Sequence, residues 1–116
     1  MVIQPRRGEV WWVSFEAAIG GEIHKTRPAI ILSNNAANRA LNRVILVPVS
    51  SRIEKLYPGE ALVSIGGEQN KAMADQLTAA SKKRLRSRLA ALSAADMRAV
   101  ENAVLLHLGV RGQGPG

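Results

Sequence analysis

An arginine set just ahead of a proline, at the mouth of an apolar run, is the first feature able to do chemistry. The stretch is Gly20-Gly21-Glu22-Ile23-His24-Lys25-Thr26-Arg27-Pro28. Proline biases the residue before it toward extended backbone, which gives Arg27 a defined place at the start of a strand. A guanidinium so placed can hold a phosphate through two parallel hydrogen bonds, or it can pair with Glu22 or Glu9. His24 lies in the same loop, where an imidazole can exchange protons near neutral pH. A loop histidine without that task would read the same way.

Three further stretches carry suitable groups. Val49-Ser50-Ser51-Arg52 closes an apolar run, and hydroxyls at a strand end donate to a phosphate oxygen or satisfy turn backbone. A serine nucleophile is not indicated, because no Gly-x-Ser-x-Gly elbow is present. Lys82-Lys83-Arg84-Leu85-Arg86-Ser87-Arg88 holds five basic residues in seven. Mutual repulsion puts it at the surface, as a phosphate-contacting stripe or a solvated face. Trp11-Trp12, if in a strand, must point to opposite faces, so one ring faces away from the core. That ring is a base-stacking platform or an interface residue.

The elements that position these groups follow from local pattern. Glu9–Phe15 is rich in Val and aromatics and reads as a strand. Pro28–Ser33 and Arg43–Ser50 are short apolar strands, with Asn34–Asn42 between them as a short Asn-capped helix. Pro48 suits an edge or a bulge. Tyr57-Pro58-Gly59 turns into a strand at Glu60–Ile65, and Gly66-Gly67 turns again. The segment Ala72–Ser81 has room for one or two strands around Asp75-Gln76. Ser93 is an N-cap with Asp96 at N3. Met97, Val100, Val104, Leu105 and Leu108 recur at helical spacing, and Gly109 stops the helix. The pattern predicts an α+β fold, a small curled sheet or barrel closed by one helix.

Bulk properties narrow the class. At 116 residues and 47% hydrophobic content, one soluble domain burying about two-thirds of its extended surface is expected. Residues 1–110 form that domain, and the Gly-rich tail 111–116 is expected to be disordered. The chain has no cysteine, which excludes disulfides and thiolate chemistry, and its two histidines lie far apart. No cofactor and no metal site is expected. No apolar run approaches the ~20 residues of a membrane span, so the expected location is the cytoplasm. The net charge of +7 points to nucleic acid, an anionic membrane surface or an acidic protein as partner.

Taken in order, the pieces carry a resemblance. Arg7-Gly8-Glu9-Val10-Trp11-Trp12-Val13, a Gly-Glu loop, Thr26-Arg27-Pro28-Ala29-Ile30-Ile31-Leu32-Ser33, Asn38-Arg39, Val44–Ser50, Ala74-Asp75-Gln76 and the closing helix resemble the MazF/PemK family of toxin endoribonucleases. The likeness runs from about residue 6 to residue 109. It implies a small SH3-like antiparallel β-barrel with a C-terminal amphipathic helix, working as a homodimer. It also implies metal-independent cleavage of single-stranded RNA at a short sequence, through 2′-hydroxyl attack that leaves 2′,3′-cyclic phosphate and 5′-hydroxyl ends. A cognate antitoxin with an acidic, partly disordered segment is the implied restraint.

The resemblance assigns roles by position. Arg27 matches the family's loop-end arginine and would stabilise the phosphorane. A guanidinium holds its proton and makes a poor base. Ser50 matches the strand-end Thr or Ser that hydrogen-bonds the scissile phosphate, and Glu22 an acidic residue that orients the arginine or serves as base. Asp75 and Gln76 match a later acidic-Gln pair nearer to substrate positioning. His24, Lys25, Thr26, Ser51, Arg52, Arg84 and Arg86 complete the expected RNA-contacting set. Gly21 and Met73 stand where some members carry a histidine and an arginine, so the proton-transfer pair is not carried over. Two other functions fit the same elements: a same-fold toxin that binds and inhibits a topoisomerase, and a non-catalytic nucleic-acid-binding module.

Overall fold

The computed structural model describes residues 4–15 and 25–110. Seven antiparallel strands and a C-terminal helix account for most of them. The strands are β1 (Glu9–Phe15), β2 (Lys25–Ile31), β3 (Arg43–Ser50), β4 (Glu60–Ile65), β5 (Glu68–Met73), β6 (Thr78–Ser81) and β7 (Leu85–Ala91). A short helix α1 (Asn35–Ala40) lies between β2 and β3, and α2 (Ala94–Leu108) closes the chain. Hydrogen-bonded neighbours run β4-β5-β3-β2-β1-β7, with β6 also on β3. No helix among the described residues is long and apolar enough to cross a membrane.

Continuous apolar runs in β1–β3 have a direct cause: alternate residues feed two cores on opposite sides of the sheet. One core gathers Val10, Ile30, Val47, Val49, Val63 and Ile65 under Met97, Val100, Ala103 and Val104 of α2. The other gathers Trp11, Val13, Ala29, Ile31, Val44, Leu46, Ala80 and Leu85. The paired tryptophans split as strand geometry requires. Trp11 is buried in the second core with its Nε1 donating to Glu9 Oε1 at 3.0 Å, whereas Trp12 is exposed.

β3 is the junction of the sheet. On one side it pairs with β2, Ala29 opposite Pro48 and Ile31 opposite Leu46. On the other it pairs first with β6, ending at Leu46 opposite Thr78, and then with β5, Val49 opposite Ala72 and Ser50 opposite Lys71. Pro48 is therefore not on an edge. It sits where β3 exchanges one partner for the next, a gap that suits a residue with no N–H to donate.

The helix caps form as expected. Asn34 Oδ1 accepts from Ala37 N at 2.8 Å, and Ser93 Oγ accepts from Asp96 N at 3.1 Å. Gly109, at φ 74°, supplies the left-handed stop. Asp96 also accepts from Ser64 N at 2.8 Å, tying the start of α2 to β4. Asn38, 1% exposed, anchors α1: its Nδ2 donates to Ser33 O at 2.9 Å and its Oδ1 accepts from Ser33 Oγ. Ser33 Oγ in turn accepts from Ile45 N at 3.0 Å, which ties the β2–β3 connection to β3.

Several expectations need correction. β2 begins at Lys25, ahead of the proline, and ends at Ile31. β5 forms in a polar stretch ahead of Ala72, with only Lys71, Ala72 and Met73 buried. The basic stretch keeps its basic side chains at the surface but runs into a strand not foreseen: Leu85–Ala91 pairs with β1, with register shifts between Val10 and Trp11 and between Trp12 and Val13. Leu108 is 57% exposed, and Ala103 takes its place on the buried face of α2. The end strands β4 and β7 share no ladder among the described residues. The tail 111–116 lies outside those residues.

Candidate active site

A cleft of about 510 Å³ opens where the curled sheet brings its two ends together. β1 contributes Trp12, β2 Arg27 and Pro28, and β3 with the residues after it Val49, Ser50, Ser51 and Arg52. The β4–β5 hairpin contributes Ile65, Gly66, Glu68 and Asn70, and β7 contributes Leu89 and Ala90. Val49 and Ile65 belong also to the core under α2, so the cleft floor is the outer edge of a packed interior. Rigid strands rather than loops therefore fix most of the wall.

Arg27 stands on β2 opposite Val13 of β1, and its neighbour Pro28 stands opposite Trp12. Glu9, one of its two candidate partners, is committed elsewhere. Its Oε1 accepts from Arg6 N at 2.8 Å and from Trp11 Nε1 at 3.0 Å, and its Oε2 pairs with Arg88 Nε at 3.1 Å. Among the described residues Arg27 has no ion-pair partner, and it lines the cleft as an exposed cation. Ser50 ends β3 half-buried, and its Oγ accepts from Arg52 N at 3.1 Å. The turn role read from sequence is real. It uses the hydroxyl oxygen as acceptor and leaves the proton to be donated.

The structure thus gathers Arg27, Ser50, Ser51 and Arg52 in one cleft. Glu22 and His24 lie outside the described residues. Lys25 opens β2 opposite Phe15, and exposed Thr26 follows opposite Ser14 without lining the cleft. Asp75 and Gln76 form an exposed 3₁₀ turn beyond the far end of β5, with Gln76 Nε2 at 3.5 Å from Met73 Sδ. Arg84 Nη1 donates to Ser14 O at 3.3 Å and Arg86 Nη1 to Lys83 O at 2.7 Å, both away from the cleft. Sequence reasoning missed Glu68, Asn70, Ile65 and Leu89 as cleft residues. For Ile65, Glu68 and Asn70 the only signal was the Gly66-Gly67 turn that joins their strands. Leu89 lies at a shift of register on β7, the kind of irregularity that re-aims a side chain. No three His, Cys, Asp or Glu side chains converge as a metal site would require among the described residues.

The family model for PemK-like, MazF-like toxins of type II toxin–antitoxin systems matches residues 6–108. The chain belongs to that family. It is 37% identical to the endoribonuclease MazF9 of Mycobacterium tuberculosis over an alignment of 112 positions, which takes in 89% of this chain and 95% of the relative. The fold agrees with MazF from Deinococcus radiodurans at a TM-score of 0.78 and 28% identity, covering 94% of this chain and all (100%) of that one. A MazE–MazF structure from the same organism matches at a TM-score of 0.75 and 27% identity, over 95% of this chain and 100% of the other.

In this PemK/MazF-family toxin the cleft has the parts a phosphodiester needs. A guanidinium and a hydroxyl face one space, able to hold two non-bridging oxygens. Trp12 and Leu89 add apolar surface to the same lining, of a kind on which bases can stack. Arg52 adds a second positive charge and Glu68 a negative one at the rim.

Proposed function

We propose that this MazF-type toxin endoribonuclease cuts single-stranded RNA with the substrate's own 2′-hydroxyl as nucleophile. That oxygen loses its proton and attacks the adjacent phosphorus, forming a five-coordinate phosphorane. The bond to the 5′-oxygen then breaks, and that oxygen takes up a proton. The products are a 2′,3′-cyclic phosphate and a 5′-hydroxyl end. Arg27 stabilises the extra negative charge of the phosphorane, and Ser50 donates to a non-bridging oxygen. Glu22 orients Arg27 or takes the first proton. No metal or other cofactor enters the scheme.

One observation carries this reading: Arg27 and Ser50, far apart in sequence, line the same cleft, and Arg27 has no carboxylate on it among the described residues. RNA entering the cleft meets Ser51 and Arg52 on one wall, and Lys25, Thr26 and His24 belong to the RNA-contacting set of this reading. Asp75, Gln76, Arg84 and Arg86 stand apart, and their part is limited to RNA running beyond the cleft. The curled sheet is an SH3-like barrel in this reading, and the working unit is a homodimer in the cytoplasm. An antitoxin with an acidic, partly disordered segment restrains it by occupying the basic cleft.

Incubating the purified protein with a long mixed-sequence RNA in EDTA tests the proposal. Discrete fragments are expected. RNA that is bound but uncut would favour a binding module, and cleavage that needs added divalent metal would contradict the mechanism.

A further inference from the structure

Lys71 is the one charged residue among the described ones buried as a whole residue, and it pairs with a carboxylate whose side chain is buried as deeply. Its side chain is 10% exposed and that of its partner Glu60 is 8% exposed. Nζ lies 3.1 Å from Glu60 Oε1, donates to Lys55 O at 2.9 Å, and sits 5.5 Å from the centre of the Tyr57 ring. Glu60 Oε1 also accepts from Tyr57 N at 2.8 Å. These contacts fall on the middle and later part of the connection 51–59, at Lys55 and Tyr57, and on Glu60, the first residue of β4. That connection contains no helix or strand.

The near end of the same connection is Ser51 and Arg52 in the cleft wall. The backbone of Lys71 stands opposite Ser50 in the β3–β5 ladder. One residue of β5 therefore touches both ends: its main chain backs the strand end carrying Ser50, and its ammonium gathers the loop that leaves it. Burying a charge pair is costly, and an apolar pair of similar volume often serves stability as well. What an apolar pair cannot do is draw a carbonyl, a carboxylate and a ring to one point.

We infer that Lys71 is a positioning residue for RNA recognition. By holding residues 55–60 it sets where Ser51 and Arg52 stand in the cleft, and so which nucleotides beside the scissile bond are accepted. The inference rests on the endoribonuclease reading above and adds to it a residue outside the cleft.

The informative variant is the double substitution Lys71→Met with Glu60→Gln, because Lys71→Met alone strands a buried carboxylate. Wild type and variant are compared by cut-site mapping on mixed-sequence RNA, by kcat and KM on one cut site, and by amide hydrogen exchange. The variant is expected to raise KM about tenfold with kcat within about threefold, the signature of lost binding rather than lost chemistry. Its cut sites should broaden at the flanking positions, and amides within 53–58 should exchange faster while those of β1–β3 do not. Lys71→Arg, which keeps the charge, should retain the wild-type pattern. Where the double variant fails to fold, Glu60→Gln alone is expected to shift KM in the same direction by about threefold. A folded variant with unchanged KM, cut sites and loop exchange overturns the inference. Wild-type protein that cuts no RNA overturns the endoribonuclease reading instead, and loop exchange then decides the clip on its own.

Discussion

Replacing Arg27 by alanine is expected to lower the cleavage rate by about 10²–10³-fold while leaving the fold intact. The magnitude is that of removing a positioned donor from developing negative charge. Arg27 is exposed, it sits at the strand mouth, and among the described residues it makes no ion pair. No described carboxylate is therefore left unpaired by its loss. Single-turnover cleavage beside a thermal melt reads both halves. Arg27→Lys should recover part of the rate, since an ammonium keeps the charge but not the two-pronged geometry. A variant that melts early, or that cuts at the wild-type rate, would remove Arg27 from the centre of the mechanism.

Ile30→Ala should do the reverse. Ile30 is fully buried in the core under α2, flanked by Val10 on β1 and Val47 on β3. Removing its outer carbons leaves a cavity among strands that cannot collapse independently, at a cost of about 2–5 kcal/mol. A small domain holds about 5–15 kcal/mol in total, so much of its stability goes. Denaturant unfolding should show a much lower midpoint with little change of slope. Any folded fraction should still cut RNA, because Ile30 does not line the cleft. A midpoint near wild type would mean that the core tolerates the loss by repacking.

The two substitutions also mark what could be read without coordinates. β1, β3, β4 and α2 were legible because their apolar periodicity is local, and Arg27 and Ser50 because a proline and a strand end mark them. β5 was hidden by its polar first half, Glu68-Gln69-Asn70, which faces solvent and the cleft rather than the core. β7 was hidden because basic residues dominate its approach and its first half, and because its pairing with β1 contains two register shifts that break alternation. Leu108 matched the helical stripe but falls at the last turn, beyond the sheet that α2 covers. The cleft itself had no local signature, since six strands, β1 to β5 and β7, lend it residues, and only their long-range pairing brings those together. Lys71 had no local signature for the same reason. Its partners Lys55, Tyr57 and Glu60 are neighbours only after the β4–β5 hairpin has closed.

The most direct test of the central claim uses an RNA with one defined cut site and its twin carrying a single 2′-deoxynucleotide just 5′ to the scissile phosphate. If the substrate's own hydroxyl is the nucleophile, the all-ribose RNA is cut in EDTA to fragments with 2′,3′-cyclic phosphate and 5′-hydroxyl ends. The deoxy twin binds equally and stays whole. Cleavage of the deoxy twin at that position, or fragments with 5′-phosphate ends, would contradict the account, because another nucleophile would then be attacking the phosphorus.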